Sequence, residues 1–72
     1  MTNKLIAQIA SLPDRENVVY EIYYGSHQVA EISNEPDIGL RIDIFNCPDG
    51  GFWSFNFKEF QSLVEQAEKN VM

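Results

Sequence analysis

The chain has 72 residues, of which 44% are hydrophobic and 22% charged, and this composition is typical of a globular protein rather than a disordered one. The length allows one domain with a small core and excludes separate cofactor and substrate lobes, so we do not expect an enzyme. Eleven acidic residues against five basic ones give a net charge of −6, and such a surface repels nucleic acid.

The apolar runs are only a few residues long, and the N-terminus lacks the basic start of a secretion signal. We therefore expect neither a membrane span nor a targeting segment. Cys47 is the only cysteine, which excludes an internal disulfide and a cysteine-rich metal site. A reducing compartment, and hence a cytoplasmic location, is the expectation that follows.

The first predicted element is a short N-terminal helix. Thr2 is a suitable N-cap and Pro13 a suitable end. Between them, apolar residues recur at the spacing of one helix stripe: Leu5, Ile6, Ile9 and Leu12. The polar segment 14–17 then predicts a turn.

Three segments of alternating polarity predict three strands in succession. They begin at Val18, Val29 and Leu40. Gly25-Ser26 is a suitable hairpin turn between the first two strands, and Asn34–Gly39 is a loop that leads into the third.

An aromatic segment follows and changes its period. Residues 52–57 alternate as a fourth strand would, and from Phe57 the apolar residues recur at helical spacing as far as Val71. Asn56 is placed to cap this C-terminal helix, with Glu59 three residues later as in a capping box.

The predicted order is α-β-β-β-β-α with short connections. This order indicates one small α+β domain over residues 1–72: an antiparallel four-stranded meander with the N- and C-terminal helices packed on one face. Residues expected to be buried on that face are Tyr20, Ile22, Tyr24, Ala30, Ile32, Leu40, Ile42, Ile44, Trp53 and Phe55. Residues expected on the open face are Glu21, Tyr23, Val29, Glu31, Arg41, Asp43, Phe45, Phe52 and Ser54.

No group of residues predicts catalysis or a cofactor. His27 lies in the hairpin turn without an orienting partner, and Cys47 precedes Pro48 in a loop without a base. Carboxylates such as Glu35, Asp43 and Asp49, or His27 with Glu31, lack the spacing of zinc or calcium ligands, so no metal site is expected.

The acidic face of the sheet is the candidate functional surface. Seven acids against Arg41 alone fall between residues 16 and 49, so the whole net charge lies in the middle of the chain. A solubilising role would account for this charge. The functional interpretation is that carboxylates steer a basic partner while rings anchor it. The predicted partner-binding residues are Glu21, Tyr23, Glu31, Glu35, Asp37, Asp43 and Phe45.

Two functional hypotheses follow from this surface. The first is a protein-binding module that docks a basic protein. In size, acidity and lack of catalytic groups, the chain is similar to the small acidic immunity proteins and antitoxins that block bacterial toxins, notably nucleases. That likeness is one of class, and no residue role is carried over from it. The second hypothesis is a structural homodimer without catalytic activity, whose interface consists of Tyr23, Val29, Phe45 and Phe52.

Overall fold

A computed structural model describes residues 4–71. They form one four-stranded antiparallel sheet in the order β1-β2-β3-β4, followed by one helix. The elements are β1 Leu5–Ala10, β2 Val19–Tyr24, β3 His27–Glu35, β4 Gly39–Ile44 and α1 Phe57–Val71. The predicted antiparallel meander with a C-terminal helix is therefore confirmed.

The predicted N-terminal helix is wrong, because Leu5–Ala10 forms strand β1. All its residues pair with β2, from Leu5 opposite Tyr24 to Ala10 opposite Val19. Leu5 and Ile9, four residues apart, share a face in a strand as well as in a helix, so this part of the apolar spacing does not distinguish the two. A short helix is marginal alone, whereas the edge of β2 satisfies the backbone of an added strand. The proposed cap Thr2 lies outside the described residues.

The predicted fourth strand at residues 52–57 is also wrong, since residues 52–56 join no ladder. This segment instead crosses one end of the sheet and leads into α1. The Trp53 indole N–H donates to the Phe45 carbonyl at 2.8 Å, and Phe55 stacks on both Trp53 and Phe60 with centroids 5.7 Å apart. The alternation of rings thus separates a packed aromatic row from outward-pointing Phe52, which is 85% exposed.

Helix α1 begins where the sequence predicts. The Asn56 side-chain oxygen accepts a hydrogen bond from the Glu59 backbone N–H at 3.0 Å, which caps the helix. Glu59 in the first turn and Lys69 in the last suit the helix dipole. Ala67 and Val71 are buried against the sheet.

The core lies between α1 and strands β1 to β3. Ile22 and Ala30 are opposite each other there and fully buried. The predicted exposure of Val29 is wrong. A register shift next to Ile22 leaves Val29 as the extra residue of a bulge, and its side chain is buried.

Whereas Val29 is more buried than the sequence predicts, strand β4 is more exposed. Its residues Leu40, Ile42 and Ile44, which were expected to be buried, remain exposed. One helix is about 10 Å wide and strands are about 4.8 Å apart, so α1 alone covers roughly three strands. The N-terminal helix that would have covered the fourth is absent from residues 4–71, where Leu5–Ala10 is a strand.

Candidate functional site

A row of polar residues crosses the sheet on the face away from α1. The strand register places Gln8 beside Glu21, Glu21 beside Glu31, and Glu31 beside Asp43. Like charges directly opposite each other on neighbouring strands are destabilising. Three carboxylates in adjacent positions therefore require compensation from elsewhere in the chain.

The loop between β1 and β2, residues 11–18, supplies that compensation. Arg15 of this loop reaches across the face, and its guanidinium lies 2.6 Å from the Glu31 carboxylate. Glu31 is only 8% exposed. The central acid of the row is thus covered and neutralised by a residue from the loop.

The same loop is attached at a second point by Glu35, at the end of β3. The Glu35 carboxylate accepts hydrogen bonds from the backbone N–H groups of Glu16 at 2.8 Å and Asn17 at 3.0 Å. These two bonds favour the charged form and lower the pKa of Glu35. The Asn17 side-chain amide also donates to the Asn34 carbonyl. Glu35 therefore fixes the position of the loop.

The two outer acids of the row have weaker partners. The Arg41 guanidinium lies 3.6 Å from the Asp43 carboxylate, and both side chains are substantially exposed. Glu21 accepts hydrogen bonds from the Gln8 amide at 2.9 Å and the Tyr23 hydroxyl at 3.4 Å. Partial burial, followed by the charge of Glu21 and this hydrogen bond, raises the pKa of Tyr23.

A surface groove of about 500 Å³ lies between the loop and the β3–β4 turn. Two arginines, Arg15 and Arg41, line it together with five carboxylates: Asp14, Glu16, Glu35, Asp37 and Asp43. Ile38, which also lines the groove, is 58% exposed. We call this feature the acidic groove.

Three of the five carboxylates remain available in the acidic groove. Within residues 4–71, the side chains of Asp14, Glu16 and Asp37 make no hydrogen bond or ion pair, and all three are exposed. Glu35 and Asp43 are engaged as described above. The free acids and Ile38 together give the groove negative charge and an exposed apolar side chain.

The structure places the seven predicted partner-binding residues in four different locations. Glu35, Asp37 and Asp43 meet in the acidic groove. Glu21 and Tyr23 lie on the same face nearer β1. Glu31 is buried beneath Arg15, and Phe45 follows the other end of β4, away from the groove.

The sequence interpretation did not include Asp14, Arg15 and Glu16 in the site. The sequence predicts a polar turn over residues 14–17, and that turn was the signal from which these residues could have been found. The position of that turn over the sheet depends on β1 being a strand, because the antiparallel β1–β2 pair brings the loop to the end of β3.

A second, smaller cavity of about 320 Å³ includes His27, Cys47 and Asp49. The Cys47 thiol donates to the Asp49 carboxylate at 3.0 Å. This bond raises the pKa of Cys47 and lowers that of Asp49. The hydrogen bond therefore favours the protonated thiol over the thiolate, which is the reactive form of a cysteine.

Comparison with family models, with curated proteins and with solved structures finds no match to this chain. Among residues 4–71, no three or more His, Cys, Asp or Glu side chains are grouped so as to hold a metal ion. In the same part of the chain, no helix has both the length and the apolar character required to cross a bilayer.

Proposed function

We propose that this chain is a small protein-binding module that docks a positively charged segment of another protein in the acidic groove. The observation that supports this most directly is the set of free carboxylates, Asp14, Glu16 and Asp37, in the same groove as the exposed Ile38. Charge of this kind accelerates encounter with a basic partner, and a central apolar side chain contributes to the affinity.

The contacts that attach the β1–β2 loop to the sheet suit a binding role. Arg15 on Glu31 and the two backbone bonds to Glu35 hold the loop in one position before any partner arrives. A pre-ordered surface loses less conformational entropy on binding than a mobile one. The side chains that bind the loop to the sheet are thus different from those left free for a partner.

The partner class we propose is a basic protein whose Lys or Arg residues surround an apolar side chain, in a reducing compartment such as the cytoplasm. An inhibitor of the kind represented by small acidic immunity proteins and antitoxins fits this description.

The test compares two charge reversals of equal size. The groove variant carries Asp14→Lys, Glu16→Lys and Asp37→Lys. The control variant carries Glu59→Lys, Glu65→Lys and Glu68→Lys on exposed positions of α1. Both change the net charge equally, so they separate a groove effect from an effect of total charge.

Each tagged variant is used to capture proteins from lysate of the source organism at low and high salt, and captured proteins are purified for titration. We expect a basic protein that binds wild type and the α1 variant, dissociates at high salt, and loses about 100-fold or more in affinity for the groove variant. Equal loss in both variants, or none in the groove variant, would contradict docking in the groove.

A further inference from the structure

Strand β4 (Gly39–Ile44) is an uncovered edge of the sheet. It pairs with β3 on one side and with no strand among residues 4–71 on the other. On the face shared with α1, its side chains Leu40, Ile42 and Ile44 are 47%, 43% and 63% exposed. An exposed apolar strand edge is a template for pairing with another strand.

The hydrogen-bond pattern of the ladder determines which backbone groups face outward. The Phe45 N–H donates to the Val29 carbonyl at 2.8 Å. Because inward and outward residues alternate in an antiparallel ladder, Asp43 and Arg41 also point their backbone groups at β3. The free N–H and C=O groups of the edge therefore belong to Leu40, Ile42 and Ile44.

We propose that a second copy of this chain pairs with the edge, so that the β4 strands of two copies run antiparallel about a two-fold axis at Ile42. Ile42 then lies opposite the partner's Ile42, and Leu40 lies opposite the partner's Ile44. These are the residues whose backbone groups face outward, so the new pairs form the hydrogen bonds of a regular ladder. The two sheets become one continuous sheet.

The charges of β4 select both this occupant and this register. On the face away from α1, Arg41 lies opposite the partner's Asp43, and Asp43 opposite the partner's Arg41. These two Arg41–Asp43 pairs lie at ladder positions without backbone hydrogen bonds, where side chains on neighbouring strands approach most closely. The segment Leu40–Ile44 is thus complementary to itself in both its apolar and its charged positions.

Neighbouring registers lack this complementarity. A slide of two residues in one direction places Arg41 against the partner's Arg41, and a slide in the other direction places Asp43 against the partner's Asp43. A slide of one residue brings apolar and charged faces together. Among registers within two residues, only the one centred on Ile42 avoids all three mismatches.

The other edge of the sheet provides a comparison. Strand β1 (Leu5–Ala10) contains no charged residue, so nothing in it selects a register or a partner strand. The existing contact between Arg41 and Asp43 is long, at 3.6 Å, and exposed. Each of the two side chains is therefore able to exchange its partner within the strand for one in the second copy.

This dimer goes beyond the proposed docking function and is tested with different residues. Its two-fold axis would place the two acidic grooves on the same face of the continuous sheet. Failure of the dimer leaves binding of a basic protein to one groove intact, and failure of the groove variant leaves the dimer intact.

The first measurement is the mass in solution by sedimentation equilibrium. A single strand pair is small beside the roughly 1,600 Å² of a typical stable interface, so we use protein from about 10 μM to 1 mM. We expect the mass to rise from 8.3 kDa towards twice that value as concentration increases. A mass that stays at 8.3 kDa at the highest concentration overturns the proposal, whatever else binds the edge.

The second measurement is a charge exchange. Arg41→Asp places like charges opposite each other twice per dimer and should weaken association by about 10-fold or more. The double variant Arg41→Asp with Asp43→Arg restores opposite charges and should return the dissociation constant to within about threefold of wild type. Far-UV circular dichroism verifies that each variant is folded.

Two lysine substitutions at apolar positions complete the test. Ile42→Lys places two ammonium groups at the two-fold axis and should abolish the dimer. Ile9→Lys introduces the same side chain at an exposed position of β1 and should leave the dimer unchanged. A dimer that survives Ile42→Lys, or that the double charge exchange does not restore, contradicts pairing through β4.

Discussion

The guanidinium of Arg15 lies 2.6 Å from the carboxylate of Glu31, and this ion pair joins the β1–β2 loop to the centre of the sheet. Glu31 stands between Glu21 and Asp43 in the ladder, so it has a carboxylate on each side. Without Arg15, three adjacent acids would face one another on one surface. The loop therefore compensates negative charge on the sheet in addition to connecting β1 to β2.

Replacing Arg15 should destabilise the fold. Arg15→Met leaves the Glu31 carboxylate covered and unpaired, and we expect the free energy of unfolding to fall by about 2 kcal/mol, below the cost of breaking a fully buried pair. Arg15→Met with Glu31→Leu removes both charges and should regain most of this loss. Urea denaturation of wild type, of the single variants Arg15→Met and Glu31→Leu, and of the double variant measures the coupling energy between the two side chains. If the loss of unfolding free energy in the double variant equals the sum of the losses in the two single variants, the ion pair contributes nothing to stability.

The stability conferred by Glu35 should depend on pH. Its pKa is lowered in the folded chain by the backbone N–H groups of Glu16 and Asn17. Its contribution is therefore complete above its ordinary pKa of 4.5 and is lost as pH falls through the lower pKa of the folded state. We expect Glu35→Gln to lower the urea midpoint at pH 7, and the difference from wild type to shrink below pH 4.5. A difference that is constant with pH would contradict this role.

Burial of the bulge residue Val29 can be measured against a matched valine. Val29→Ala creates a cavity in a well-packed site and should cost about 2 kcal/mol of the free energy of unfolding. Val18→Ala makes the same chemical change at an exposed position before β2 and should cost less than about 0.5 kcal/mol. Chemical denaturation compares the two variants. Equal losses would mean that Val29 is as exposed as the sequence pattern predicts.

The reactivity of Cys47 should respond to Asp49. The hydrogen bond from the thiol to this carboxylate is the largest cause of the raised pKa of Cys47. Asp49→Asn should move that pKa down towards its ordinary value, so more thiolate is present at any given pH below it. The rate of alkylation by iodoacetamide between about pH 7 and 9 measures the effect. An unchanged rate profile would show that Asp49 does not control the thiol.

Local patterns in the sequence predict part of the candidate site. The alternation in the central segments places Glu21, Glu31 and Asp43 on one face, and the structure puts them there in one row. The pattern does not reveal that Glu31 is buried, because the covering residue Arg15 is 16 positions away in the chain. Contacts between distant segments have no periodic signal in a single sequence.

The sequence by itself determines the hairpins from β2 to β4, the capped helix α1 and the strongly acidic middle of the chain, since period, turn residues and charge are local properties. Only the tertiary structure decides that residues 5–10 pair with β2 as a strand, and that residues 52–56 pack their rings at one end of the sheet while the edge of β4 stays open, because both outcomes depend on contacts with other segments of the chain. The part of the chain that the structure describes therefore has one helix for four strands. A single helix is too narrow to cover that sheet, and β4 is consequently left open.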